Sequence, residues 1–170
     1  MEFFVPVGIS NRHVHLTMEV YKELFDEEMV SVKPLKQTGE FASNLFVTLE
    51  TPKCVIEGVR VLGPTRTYNQ VEISSTDAYK LGLNPPVRKS GVLSDAVGIT
   101  LKTSKGSVYL PHACILAENH IHMNEEDLKH YNVLDNEIVK VLVDKERKGV
   151  FYAHIKASKN GVLEFHVDRD

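Results

Sequence analysis

Four of the chain's eight histidines lie in two stretches of the same layout, Asn11-Arg12-His13-Val14-His15-Leu16-Thr17 and Asn119-His120-Ile121-His122-Met123-Asn124. In an extended segment successive side chains point to opposite faces, so His13 and His15 share one face while Val14 turns toward a core. His120, Ile121 and His122 repeat the pattern. Two imidazoles on one face can reach a single metal ion, and zinc is the default partner of such donors. One His-x-His is weak evidence, but two in the same local context are much stronger. Each is followed by an apolar residue and then by a residue suited to cap a helix, Thr17 and Asn124.

A carboxylate often completes such a site, and Glu72 is the best candidate. It alternates with Val71 and Ile73 in a β-branched run, so its side chain points away from theirs, to solvent or to a site. Arg66 lies on the same parity, but an unbroken strand would hold the two about 20 Å apart, so a bend or bulge is needed to join them. An arginine near a metal suits phosphate or carboxylate, because its planar fork binds such groups at two points. On the residues alone, a lone strand arginine reads as a surface ion pair. His166, between Phe165 and Val167, reads as a half-buried strand histidine. No serine or cysteine nucleophile elbow and no glycine-rich phosphate loop is present.

The elements that must position these residues read mostly as short strands. Phe3 to Ile9, Leu45–Leu49, Cys54–Leu62, Arg66–Ile73, Ile99–Thr103, Ser107–Leu110, Ala113–Ala117, Glu137–Val143, Val150–Ile155 and Val162–Val167 have strand character. Thr17 caps a helix over Met18 to Phe25, Ser75 or Thr76 caps one ending at Gly82, and Asn124 caps one through Tyr131. Pro34 to Gly39 reads as a linker. Many short strands with few helices argue for barrels or sandwiches. If both histidine pairs serve one site, the N-terminal segment lies beside the C-terminal third, and the middle of the chain is an insertion.

Composition narrows the function classes. The chain has 170 residues, 42% hydrophobic and 25% charged, with a net charge of −3. These values suit a globular domain and offer no basic stretch for nucleic acid. No signal peptide or membrane span is visible. Cys54 and Cys114 are too few for a disulfide framework and read as buried free thiols.

Across the chain, in order, the sequence resembles the PduL-type phosphate acyltransferases, also called phosphate propanoyltransferases or phosphotransacylases. The matching segments are Val5 to Leu16, Val59-Arg60-Val61-Leu62-Gly63-Pro64 with Arg66, Gln70 to Ser74, Thr76-Asp77-Ala78, Pro86-Val87-Arg88 with Ser90-Gly91, His120 to Met123, and His166-Val167-Asp168. The resemblance implies a mainly β fold of two small β-barrel domains capped by short helices, the first discontinuous. The expected division is 1–33 with 118–170, carrying both His-x-His motifs, and an inserted 34–117, carrying Arg66 and Glu72. It further implies transfer of a propanoyl or acetyl group between coenzyme A and inorganic phosphate at two zinc ions between the domains. By matching motif positions, the metal ligands become His13, His15, Glu72, His120, His122 and His166, and Arg66 becomes the phosphate-binding residue. A homodimer is implied, with coenzyme A or acyl-CoA and phosphate or acyl phosphate as small-molecule partners.

Three positions depart from the family pattern. Asn119 stands where an arginine is common, Asn69 replaces a small hydroxyl residue, and Thr38 replaces a proline. These bear on substrate preference more than on reaction class. His13 lies close to the N-terminus, without the amphipathic extension often carried by members sent into bacterial microcompartments. The expectation is a cytoplasmic enzyme, with a microcompartment as the other location. The rival reading is a cupin-like metal-binding oxygenase or binding barrel, in which Glu19 and Glu126 would be third ligands. Iron-dependent oxygen uptake would mark it. A second rival, an amidohydrolase-type enzyme, needs a strand–helix barrel of about 250 residues, which this chain does not offer.

Overall fold

The computed structural model describes residues 2–170. In chain order its elements are β1 Val7–Ile9, β2 His13–His15, α1 Met18–Leu24, β3 Ser31–Pro34, β4 Phe41–Glu50, β5 Val55–Gly63, β6 Gln70–Glu72, α2 Ser75–Leu81, β7 Val87–Arg88, β8 Val97–Lys102, β9 Ser107–Ala117, β10 His120–Met123, α3 Glu125–Tyr131, β11 Ile138–Val143, β12 Gly149–Ala157 and β13 Glu164–Val167. The mainly β architecture with short helices is as expected. No helix among the described residues is long and apolar enough to cross a membrane.

The chain divides into two compact units. One comprises Asn11–Leu35, Gly39–Ala117 and Asp170; the other comprises Met1–Ser10, Lys36–Thr38 and Glu118–Arg169.

The first unit is a closed barrel. Its strands run β4-β5-β2-β6-β9-β8, and β8 pairs with both β9 and β4 to complete the ring. β3 and β7 extend it beside β4 and β9. Alternation supplies the core: Leu45, Val47 and Leu49 of β4, Val59 and Val61 of β5, and Val71 of β6 are almost fully buried. Each such side chain contributes about 1.5–3 kcal/mol. Val14, at 0% exposure, joins this core from β2, which seats His13 and His15. Helix α1 starts at Thr17, whose hydroxyl accepts from the Val20 N–H at 3.3 Å.

The second unit is a five-stranded sheet in the order β1-β13-β10-β12-β11. β1 lies parallel to β13, β13 antiparallel to β10, and β10 parallel to β12. Ile121, Met123, Ile155 and Phe165 form its core. Asn124 caps α3 in a reciprocal capping box with Asp127.

Several expectations need correction. Residues 11–33 do not go with 118–170, because β2 is hydrogen-bonded between β5 and β6 of the barrel. Residues 2–10 lie in the same unit as residues 118–169. Residues 36–38 are no bare linker: Gln37 is 8% exposed, and its side-chain amide both donates to the Val162 carbonyl and accepts from its N–H. The strand expected over Arg66–Ile73 is confined to Gln70–Glu72, because bends at Thr67 and Tyr68 turn the chain first. Ser107 to Ala117 is one strand, not two. Helix α2 is capped by Ser74, one residue before the expected cap, and Gly82 closes it in the left-handed region at φ +69°. Cys114 is buried, whereas Cys54 is only half-buried.

Candidate metal centres

In the barrel, β2 and β6 run antiparallel with His13 opposite Glu72 and His15 opposite Gln70. The pairing brings together two candidates that are far apart in sequence. His13 and His15 are 8% and 3% exposed, with ring centroids 4.9 Å apart. His13 Nδ1 lies 2.8 Å from the Asn11 carbonyl. A carbonyl only accepts, so Nδ1 carries the proton and Nε2 presents its lone pair. That Nε2 is 3.5 Å from Glu72 Oε2. Burial opposes charging of His13, but the charge and hydrogen bond of Glu72 and the Asn11 carbonyl outweigh it, so its pKa rises above the usual 6.5 despite the charge of Arg66.

Glu72 is itself held. Gln70, fully buried, donates from Nε2 to Glu72 Oε1 at 2.6 Å and to Ser90 Oγ at 2.9 Å. Its amide oxygen accepts from the Gly91 N–H at 2.7 Å, which fixes the orientation of the amide, since an N–H can only donate. Arg66 enters the same network. It donates to Tyr68 Oη at 2.9 Å, to Ser90 Oγ at 3.3 Å and to Glu40 Oε1 at 2.6 Å. The bend after β5 therefore does what an unbroken strand would not, linking Arg66 through Ser90 and Gln70 to Glu72. Asn69 accepts from the Thr17 N–H at 2.8 Å and so anchors this loop to the start of α1.

The sheet unit builds its cluster by the same device. β10 and β13 run antiparallel with His120 opposite His166 and His122 opposite Glu164. His120 Nδ1 lies 2.8 Å from the Glu118 carbonyl, and His120 Nε2 is 3.2 Å from His122 Nε2. Ring centroids of His122 and His120 lie 4.6 and 5.1 Å from that of His166. Burial, then the neighbouring charges of His120, His166, Lys156 and His154, push His122 down to about 2. It is therefore a neutral imidazole at any ordinary pH, the form that ligates metals.

The donor sets fit zinc. Bonds of about 2.0–2.2 Å at tetrahedral angles separate two donors by roughly 3.3–3.6 Å. His13 Nε2 and Glu72 Oε2 stand 3.5 Å apart in the barrel, and the Nε2 atoms of His120 and His122 stand 3.2 Å apart in the sheet. Within each triad, His13–His15–Glu72 and His120–His122–His166, one donor atom per residue lies within 4.8 Å of the others. All six sequence-predicted ligands thus fall into two groups, three in each unit. Glu19 and Glu126 are exposed on α1 and α3, which removes the third ligands that a cupin-like reading requires.

A family model described as phosphate propanoyltransferase matches residues 6–170. The chain belongs to the phosphate propanoyltransferase family. Similar family relatives include a phosphate propanoyltransferase of Thermotoga maritima, 45% identical over 98% of this chain and 81% of its own length. Another, from Lachnoclostridium phytofermentans, is 44% identical over 99% and 80%. A third, from Salmonella typhimurium, is 39% identical over 98% and 80%. The resemblance read from the sequence therefore holds, and this phosphate propanoyltransferase family member is a phosphate acyltransferase.

Four residues of these sites had no assigned role in the sequence reading: Gln70, Ser90, Glu164 and His154. Gln70 and Glu164 stand two places before Glu72 and His166, and strand parity was the available signal. His154, 4% exposed and 5.5 Å from the His120 ring, sits opposite His120 across the parallel β10–β12 pair, which no local pattern announces.

Proposed function

We propose that the chain transfers a propanoyl or acetyl group between coenzyme A and inorganic phosphate, with one zinc ion on each triad. The observation that carries this reading is the two donor sets, each partly buried and spaced for one ion, in a chain of this family. When bound, zinc supplies Lewis acidity toward the thioester carbonyl and the departing thiolate. Arg66 binds phosphate by exchanging the carboxylate of Glu40 for another anion, with the hydroxyls of Tyr68 and Ser90 on the same guanidinium nitrogen. A phosphate oxygen bonds to the thioester carbonyl carbon, the carbon–sulfur bond breaks, and coenzyme A leaves as the thiolate. No protein nucleophile is needed. Cys114 is unsuited to that part, since burial pushes its thiol up to about 12. Association of two copies, and residence in the cytoplasm or in a bacterial microcompartment, belong to the same proposal and rest on the resemblance alone.

The test is release of free thiol from acetyl-CoA and propanoyl-CoA, with and without phosphate, before and after chelation. Release that requires phosphate and returns with zinc is expected, and the two rates rank the substrates. Thiol release independent of phosphate would make the chain a thioester hydrolase instead. Arg66→Ala should lower kcat/KM about 10²–10³-fold, the usual cost of one charge-stabilising donor, with metal content unchanged. Loss of metal from that variant would give Arg66 a structural role.

A further inference from the structure

Arg66 is held by two kinds of contact. Its backbone N–H donates to the Leu16 carbonyl at 2.8 Å, which ties the bend after β5 to the residue that follows His15. Its Nη1 donates to two hydroxyls, Tyr68 Oη at 2.9 Å and Ser90 Oγ at 3.3 Å. These partners are neutral. The charged one is Glu40, whose Oε1 lies 2.6 Å from Nη2. Strand register puts it there. β4 and β5 run antiparallel with Phe41 opposite Gly63, so Glu40, one residue ahead of β4, meets the turn that leads to Arg66. The two side chains differ in freedom. That of Glu40 is 35% exposed, with water to swing into, whereas the guanidinium, 21% exposed, is anchored on its other side by the hydroxyls.

We infer that Glu40 is a built-in competitor of phosphate. Its carboxylate fills the place on Arg66 Nη2 that a phosphate oxygen takes, so phosphate binds as Glu40 turns out to solvent, and this exchange raises the phosphate concentration that the enzyme needs. The inference rests on the phosphate role given to Arg66 above. The physical ground is that a carboxylate oxygen and a phosphate oxygen are acceptors of the same charge-assisted bond, and one nitrogen of the fork cannot serve both at full strength. Side by side on one guanidinium, the two anions also repel each other.

The test is Glu40→Gln, which keeps the shape and removes the charge. With acetyl-CoA saturating and phosphate varied, KM for phosphate should fall about two- to fivefold, the range for loss of a partly exposed ion pair, while KM for acetyl-CoA holds. An unchanged or higher KM for phosphate would overturn the inference. An equal fall for acetyl-CoA, which carries phosphates of its own, would make Glu40 a distant charge and overturn it too. In an Arg66→Ala background the same substitution should leave the phosphate KM where it is, and a fall there would show that Glu40 does not act through Arg66. A second readout needs no turnover. Sulfate, an unreactive analogue of phosphate, should stabilise the folded protein against heat, with a midpoint about two- to fivefold lower in Glu40→Gln than in the wild type. Equal midpoints would overturn the competition even with the transfer reaction intact. Tighter sulfate binding in Glu40→Gln, lost with Arg66→Ala, in a protein without phosphate-dependent thiol release would instead sink the transfer reading and leave the competition standing.

Discussion

Gln70 makes plain how one side chain's identity is set by another two places away. Its amide lies 2.6 Å from Glu72 and has its oxygen committed to Gly91, so a carboxylate there would face a like charge with no room to turn away. Gln70→Glu should therefore force one of the two acids to keep a proton, and weaken zinc at the barrel triad about 10–100-fold. Calorimetric titration of the metal-free protein checks this. The histidines give a second prediction, for the metal-free protein. His13 should titrate above 6.5, and His122 should stay neutral to below pH 4, with its pKa at about 2. Between about 2 and 6.5 the unfolded chain binds a proton at His122 that the folded chain refuses, so this residue makes stability fall as pH drops through 6.5. For His13 the sign is opposite: its contribution is complete below 6.5 and is lost as pH rises through its raised value. Histidine NMR across the range reads both, and titration of both near 6.5 would refute the electrostatic account. At this scale the sequence showed much. Alternation put His13 and His15 on one face, and the structure leaves Val14 between them fully buried. The opposition of His13 to Glu72 was not legible, because pairing between distant strands leaves no local trace.

Strand β2 is only three residues long, yet it carries two candidate ligands, so its neighbours must hold it in place. β5 and β6 flank it, and Arg12, just ahead of it, donates to both carboxylate oxygens of Asp77 on α2, at 2.8 and 2.9 Å. The Asp77 side chain is 6% exposed and that of Arg12 33%. Removing one partner of a fully buried pair costs about 3–5 kcal/mol, and the partial exposure of Arg12 lowers that. Arg12→Ala should cost about 2 kcal/mol in urea unfolding, and should also weaken zinc at the barrel triad. Gly82→Ala offers a contrast at the far end of the same helix. It strains a residue at φ +69° and crowds Lys53, costing about 1 kcal/mol, and should leave zinc affinity alone. The helices were legible because caps are local: Thr17, Asn124 and Gly82 act where the sequence put them. The loop carrying Arg66 was not, since β-branched and aromatic residues around Thr67 and Tyr68 favour a strand that the bend overrides.

For the whole molecule, the two units differ in how the chain builds them. Apart from Asp170, the barrel unit comes from two nearly adjacent segments; it has the larger core and leaves no open edge in its six-stranded ring. A fragment spanning residues 11–117 should therefore fold alone and bind one zinc equivalent. Circular dichroism with metal analysis tests this, and an unfolded fragment would show that the barrel depends on the rest of the chain. The sheet unit takes three segments, from the start, the middle and the end of the chain. That division was only half legible. Residues 2–10 lie in one unit with the C-terminal third, while the pairing of β2 with β5 and β6 places His13 and His15 in the barrel. Hydrophobic alternation says which face of a strand is buried, not which sheet receives it. The parallel pairing of β1 with β13 also sets an order in time. On a ribosome adding ~5–20 residues per second, β1 waits on the order of ten seconds for β13. By then the barrel strands have all emerged. On the proposed metal assignment, the triad of His13, His15 and Glu72 would be free to take up an ion on the nascent chain, whereas that of His120, His122 and His166 would be completed only once β13 has emerged.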